Sequence, residues 1–213
     1  MMPSRSLVLL LAASTVVVAV GCNPYAGNPA SINDPSTLSL DSYGSPSNGS
    51  LTSPLRCPES TADGTIRLSW TTGAPRTAGE CQNGVMTGSW KGWFPNGELR
   101  WKGELIAGRF DGTFKGYYPD GTKRVELLFV NGLPNGKFKA WWENGKLREE
   151  GDLVDGKRNG CWESWFASGQ KESKGTYADE TRVLTWFFWT EAGVRRKEKL
   201  GGESPHGQCL IML

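Results

Sequence analysis

The sequence predicts an all-β protein built as a single extended antiparallel sheet of stacked β-hairpins, about six units of 24 residues each. Three observations lead there. Large aromatic side chains return at fixed phase: Trp90, Phe114, Phe138, Trp162 and Trp186 form one column, and Trp93, Tyr117, Trp141, Trp165 and Trp189 form another. A turn glycine keeps the same beat at Gly73, Gly97, Gly121, Gly145, Gly169 and Gly193. Ten tryptophans and 28 glycines in 213 residues stand well above ordinary usage, and glycine at that level goes with many turns.

Taken in chain order, residues 1–21 read as an export signal, with Arg5 as its basic start and an apolar run from Leu7 to Val20. That run falls short of the roughly 20 apolar residues a spanning helix needs. It ends in AVGC, which resembles the lipobox of bacterial lipoproteins. The resemblance implies that Cys22 becomes the mature N-terminus, carries lipid and anchors the protein to a membrane of the cell envelope, outside the cytoplasm. Ordinary signal cleavage near the same place, leaving a secreted protein, is the alternative. Residues 22–59 are rich in Ser, Pro, Asn and Gly without an apolar period, so they read as a flexible tether.

The repeat domain occupies residues 60–200 and a tail follows at 201–213. Asn96-Gly97, Asp120-Gly121 and Asn144-Gly145 are the dipeptides that tolerate positive φ at both centres of a type I′ hairpin turn. A two-residue turn there sets Phe94 against Leu99, Trp93 against Arg100 and Gly92 against Trp101. Alternation then puts Trp90, Gly92, Phe94, Leu99, Trp101, Gly103 and Leu105 on a buried face, and Lys91, Trp93, Arg100, Lys102 and Glu104 on the other. Small residues at Gly92, Gly116, Ala140 and Ser164 leave room for neighbouring rings. A lone hairpin is marginal in water, so the units must pair edge to edge into about twelve strands. Gly84, Gly108, Gly132 and Gly156 connect one hairpin to the next. The last unit lacks such glycines, as a capping repeat does.

The segments GSWKGWFPNGELRWKG and NGKFKAWWENGKLREEG resemble MORN-repeat proteins, in the bacterial variant with G-x-W-x-x-W/Y-aromatic and a hairpin glycine in each unit. The resemblance implies a stacked-hairpin fold over roughly residues 60–200. It also implies non-catalytic roles: an antitoxin-like binding protein, or by analogy with eukaryotic relatives a scaffold or membrane-associated module.

The candidate binding face is the second aromatic column, Trp93, Tyr117, Trp141, Trp165 and Trp189. Arg100, Arg124, Arg148 and Arg196 are predicted to stand opposite these rings as cation–π partners, with Glu172 opposite Trp165. The structural reading is a ladder that covers the sheet. The functional reading is a row of ring platforms about 10 Å apart, suited to a protein partner or to envelope glycan. Lys91, Lys115 and Lys139 form a basic row beside them. Four cysteines besides Cys22 permit two disulfides in an oxidising compartment, Cys57 with Cys81 and Cys161 with Cys209, provided Cys57 and the tail fold back over the hairpins. A net charge of +2 does not favour nucleic acid. His206 and Cys209 lack neighbours for a zinc site, and no catalytic constellation, metal site or cofactor motif is expected. The function expected is a non-enzymatic, lipid-anchored envelope scaffold for a protein partner. The alternatives are a glycan-binding module and an antitoxin-like binding protein.

Overall fold

The computed structural model describes residues 54–57, 63–204, 207 and 209. The export signal, Cys22, most of the tether and His206 lie outside the described residues. The described chain is all β, with strands β1 (Gly64–Ser69), β2 (Pro75–Gln82), β3 (Val85–Trp93), β4 (Leu99–Ile106), β5 (Arg109–Phe110), β6 (Gly112–Tyr117) and β7 (Lys123–Val130), then β8 (Leu133–Trp141), β9 (Leu147–Val154), β10 (Lys157–Trp165), β11 (Lys171–Ala178), β12 (Thr181–Trp189) and β13 (Arg195–Lys199). They form one open antiparallel sheet in sequence order, with two-residue β5 attached to β4 beside the path. Asp111 separates β5 from β6, and its N–H still bonds the Glu104 carbonyl at 3.0 Å.

The type I′ geometry read from sequence for the tips is found at the connectors instead. At the tips only the glycine has positive φ: Gly97 is at 89°, while Asn96 is not in the left-handed region. Gly97 N–H donates to Phe94 O at 2.9 Å and Phe94 N–H to Glu98 O at 2.8 Å. This is a type I turn closed by a glycine bulge. Pro95 explains it. A two-residue turn would make Pro95 donate an N–H it does not have, so Phe94 takes that bond and Pro95 sits where a type I turn favours proline. The type I′ turns lie at the connectors, where both central residues have positive φ: Asn83 and Gly84 at 51° and 71°, Asn131 and Gly132 at 51° and 86°, Asp155 and Gly156 at 50° and 81°.

The tip bulge overturns the register predicted for the second column. Gly92 faces Trp101 as expected, but Trp93 faces Leu99 rather than Arg100. The same one-residue displacement pairs Tyr117 with Lys123, Trp141 with Leu147, Trp165 with Lys171 and Trp189 with Arg195.

The inner face of the sheet is the core. Trp90, Trp101, Leu105, Phe110, Phe114, Leu127, Phe129, Phe138, Leu153, Trp162 and Trp186 are buried on it. Their rings run in contact from Trp101 through Phe110 to Phe129, and from Phe138 through Trp162 and Tyr177 to Trp186 and Phe188. A side-chain carbon placed on Gly151 would lie 2.3 Å from the Trp162 indole, and one on Gly175 2.1 Å from that of Trp186. Each indole therefore lies flat on bare backbone. Its N–H is satisfied by carbonyls beside it: Trp90 bonds Glu80 O at 3.1 Å and Thr87 O at 3.0 Å, and Trp162 bonds Asp152 O at 3.1 Å and Asn159 O at 3.2 Å. Where the ring is Phe138, the facing slot holds Leu127 instead of glycine.

Neighbouring units are also tied at both ends. At the connectors Gly108, Gly132 and Gly156 N–H groups bond the carbonyls of Met86, Phe110 and Pro134 at 2.8, 2.8 and 2.7 Å. At the tips the Asn96 and Asn144 amides bond the next unit's Pro119 and Ala167 carbonyls at 2.9 and 2.7 Å. The segment 54–57 continues the connector ladder, with Leu55 N–H on Gly108 O at 2.6 Å and Leu55 O accepting from Met86 at 3.0 Å. Cys57 is joined to Cys81 with Cα atoms 6.1 Å apart, and Cys161 to Cys209 with Cα atoms 5.3 Å apart.

Candidate functional site

The outer face carries the aromatic column that the repeat marks out. Trp93, Tyr117, Trp141, Trp165 and Trp189 are all half-buried, neither bare platforms nor core. The bulge gives them cation partners other than the arginines expected. Lys123 Nζ stands 4.7 Å from the centre of the Trp141 ring, and Lys171 Nζ 5.3 Å from that of Trp165. The arginine guanidiniums go elsewhere: Arg100 to Phe94 at 5.7 Å, Arg148 to Trp142 at 5.6 Å and Arg196 to Phe188 at 4.7 Å. The ladder of arginines on the Trp93 column is thus replaced by two lysine caps, by arginines on Phe94 and Trp142 one position after the column, and by Arg196 on Phe188 one position before it. Arg124, like Arg148, lies near the Tyr118 hydroxyl. Burial raises the pKa of that hydroxyl, opposed by the two guanidiniums, and it donates to Trp141 O at 2.8 Å. Glu172 does not face Trp165; it accepts from Ser164 Oγ at 3.0 Å.

Beside the rings, one transverse row of charges crosses the sheet. Its register runs Lys91, Lys102, Lys115, Glu126, Lys139, Glu150, Glu163 and Lys174, each directly facing the next. From Lys115 onward the row is largely self-neutralised: Lys115–Glu126 at 3.4 Å, Lys139–Glu150 at 2.9 Å and Lys174–Glu163 at 2.8 Å, with Lys171 also on Glu163. The hydrogen bond from Lys123 holds the Glu126 carboxyl below the usual range. Burial pushes Glu163 the other way, but bonds from Lys171 and Lys174 prevail and its pKa is lowered too. Lys91 and Lys102 are exposed and face each other with no acid between them. The hairpin arithmetic already sets Lys102 on the face of Lys91; its second neighbour, Lys115, lies on a strand of the next hairpin, which that arithmetic does not join.

The inner face changes character along the repeats. The column Met86, Phe110 and Pro134 continues as Arg158 and Arg182, and the column Trp101 and Val125 continues as Glu149 and Ser173. The column Cys81, Leu105, Phe129 and Leu153 ends in Tyr177. Arg158 and Glu149 are buried, with relative exposures of 9% and 6%. Arg158 donates to Tyr177 Oη at 3.1 Å, approaches Glu149 at 3.9 Å and Glu180 at 3.6 Å, and stacks on Trp162 at 4.9 Å. These residues escaped the sequence reading. Their signal was available as polar side chains breaking columns that are apolar in earlier units.

Among the described residues no group of three or more His, Cys, Asp or Glu could hold a metal ion, and no helix is long and apolar enough to cross a membrane. Three consecutive segments, residues 110–131, 134–155 and 158–179, match the MORN repeat variant. Each spans one hairpin and its tip. No curated protein matches the chain.

Proposed function

We propose that the protein is a non-enzymatic scaffold of the bacterial cell envelope, lipid-anchored through Cys22, that offers the outer face of its sheet to a protein partner carrying acidic side chains. The observation that carries this reading is the facing of Lys91, Lys102 and Lys115 on three neighbouring strands beside half-buried Trp93 and Tyr117. Like charges directly opposite in a sheet are destabilising. A patch that tolerates them next to rings has the composition of an interface, cationic at the rim and aromatic at the anchor. The match to a non-catalytic repeat supports a binding role. An antitoxin-like role is one form of such binding. Glycan stacking on the column is disfavoured at Trp141 and Trp165, because lysine ammoniums occupy ring faces that a sugar would need.

The test is site-specific photo-crosslinking of the full chain in its own membrane. A photoreactive residue at Lys102 is expected to capture one protein of constant mass, and the same residue at Ser168 to capture none. Equal capture at both positions, or none at Lys102, contradicts the assignment of the face. Anchoring is read separately: Cys22→Ser is expected to move the protein from the membrane pellet to the soluble fraction.

A further inference from the structure

The polar break in the inner face has the construction of a second site. Tyr177 is 7% exposed, and its hydroxyl receives two guanidinium donors, Arg158 Nη1 at 3.1 Å and Arg182 Nε at 3.4 Å. A phenol oxygen has two acceptor positions and one proton. Both acceptors are taken, and the proton meets no acceptor among the described residues. A buried donor left in that state is destabilising until an acceptor reaches it. Arg182, opposite Tyr177 on β12, is exposed and meets no carboxylate among the described residues. Its guanidinium is braced over Trp186 at 4.8 Å and Phe188 at 5.5 Å, so its direction is set in advance.

The pairing of the charges points to the ligand. Arg148 contacts Glu149 at 3.2 Å and Arg158 contacts Glu180 at 3.6 Å. Arg182, the guanidinium next to the unused Tyr177 proton, is in no ion pair among the described residues. We propose that Tyr177 and Arg182 bind a carboxylate, with Trp186 and Phe188 holding the Arg182 guanidinium in place beneath it. Planar N–H pairs of arginine match a carboxylate in two-point contact, and a Tyr O–H adds a third, charge-assisted bond. This site lies on the face opposite the lysine row and does not depend on that row's role.

Calorimetric titration of the full-length, disulfide-intact protein with phenylacetate tests the proposal, with neutral phenylacetamide as the matched control. Saturable phenylacetate binding is expected, with the amide at least about tenfold weaker. Tyr177→Phe keeps the ring contacts and removes only the hydroxyl; it is expected to weaken binding about tenfold or more. Arg182→Gln, a surface change, is expected to abolish it. A dipeptide with a free C-terminus, compared with its amidated form, then separates a peptide-borne carboxylate from a small free acid. Absence of saturable heat with phenylacetate, equal binding of the amide, or an unchanged affinity in Tyr177→Phe overturns the proposal.

Discussion

Gly151 shows most directly how single residues set this fold. Nothing about it demands positive φ; what it supplies is the absence of a side chain where the Trp162 indole lies. Gly151→Ala is therefore expected to cost about 1–3 kcal/mol by overpacking, measured by urea denaturation. In the double variant with Trp162→Phe the loss should be less than additive, since the neighbouring unit already pairs Leu127 with Phe138. Additive losses would mean the two positions are independent. The columns of aromatics and glycines were legible in sequence, because a 24-residue period needs no structural knowledge to count. Which glycine a ring covers was not: the partner of Trp162 lies across a bulge, where simple pairing arithmetic fails. The last unit carries a related strain. Glu180 and Leu184 hold positive φ values of 70° and 61° where earlier units have Gly156 and Gly160, a conformation that costs non-glycine residues about 1–2 kcal/mol each.

At the scale of strands and turns, the outer row predicts a pH response. Glu126 and Glu163 have pKa values lowered in the folded protein by their lysine bonds. Their stabilising contribution is fully present above the ordinary glutamate pKa and is lost as pH falls through the lowered values. Stability should thus decline on acidification below about pH 4.3. Glu163→Gln should flatten that decline, as read by urea midpoints between about pH 5 and 2.5; an unchanged slope would remove Glu163 from the account. The hairpins and their order were foreseen from sequence. The tip geometry was not, because Asn-Gly and Asp-Gly dipeptides stand at both tips and connectors; Pro95 and Pro119 lack the N–H that a two-residue turn needs, but the Asn144-Gly145 tip has Glu143 there and closes in the same way. That single displacement moved every arginine of the candidate site off the Trp93 column, so the aromatic half of that site was readable and its cationic half was not.

Across the described sheet, each hairpin touches mainly its neighbours, so the ends are where unfolding should begin. Both ends are fastened. The bonds Cys57–Cys81 and Cys161–Cys209 close spans of 24 and 48 residues, which on the chain-entropy model is worth about 3.5 and 4 kcal/mol. Reduction should therefore raise hydrogen exchange first in β1 and in β12–β13, while β6–β9 stay protected. Uniform loss of protection would show that the sheet unfolds as one block.

Whether the lysine-rich outer face is kept for a partner at the expense of stability is tested most directly by Lys102→Glu. This change extends the alternation already present from Lys115 to Glu150. The isolated protein is expected to gain about 0.2–1 kcal/mol while crosslinked partner is lost. Unchanged partner capture in that variant would contradict a partner-binding role for this face.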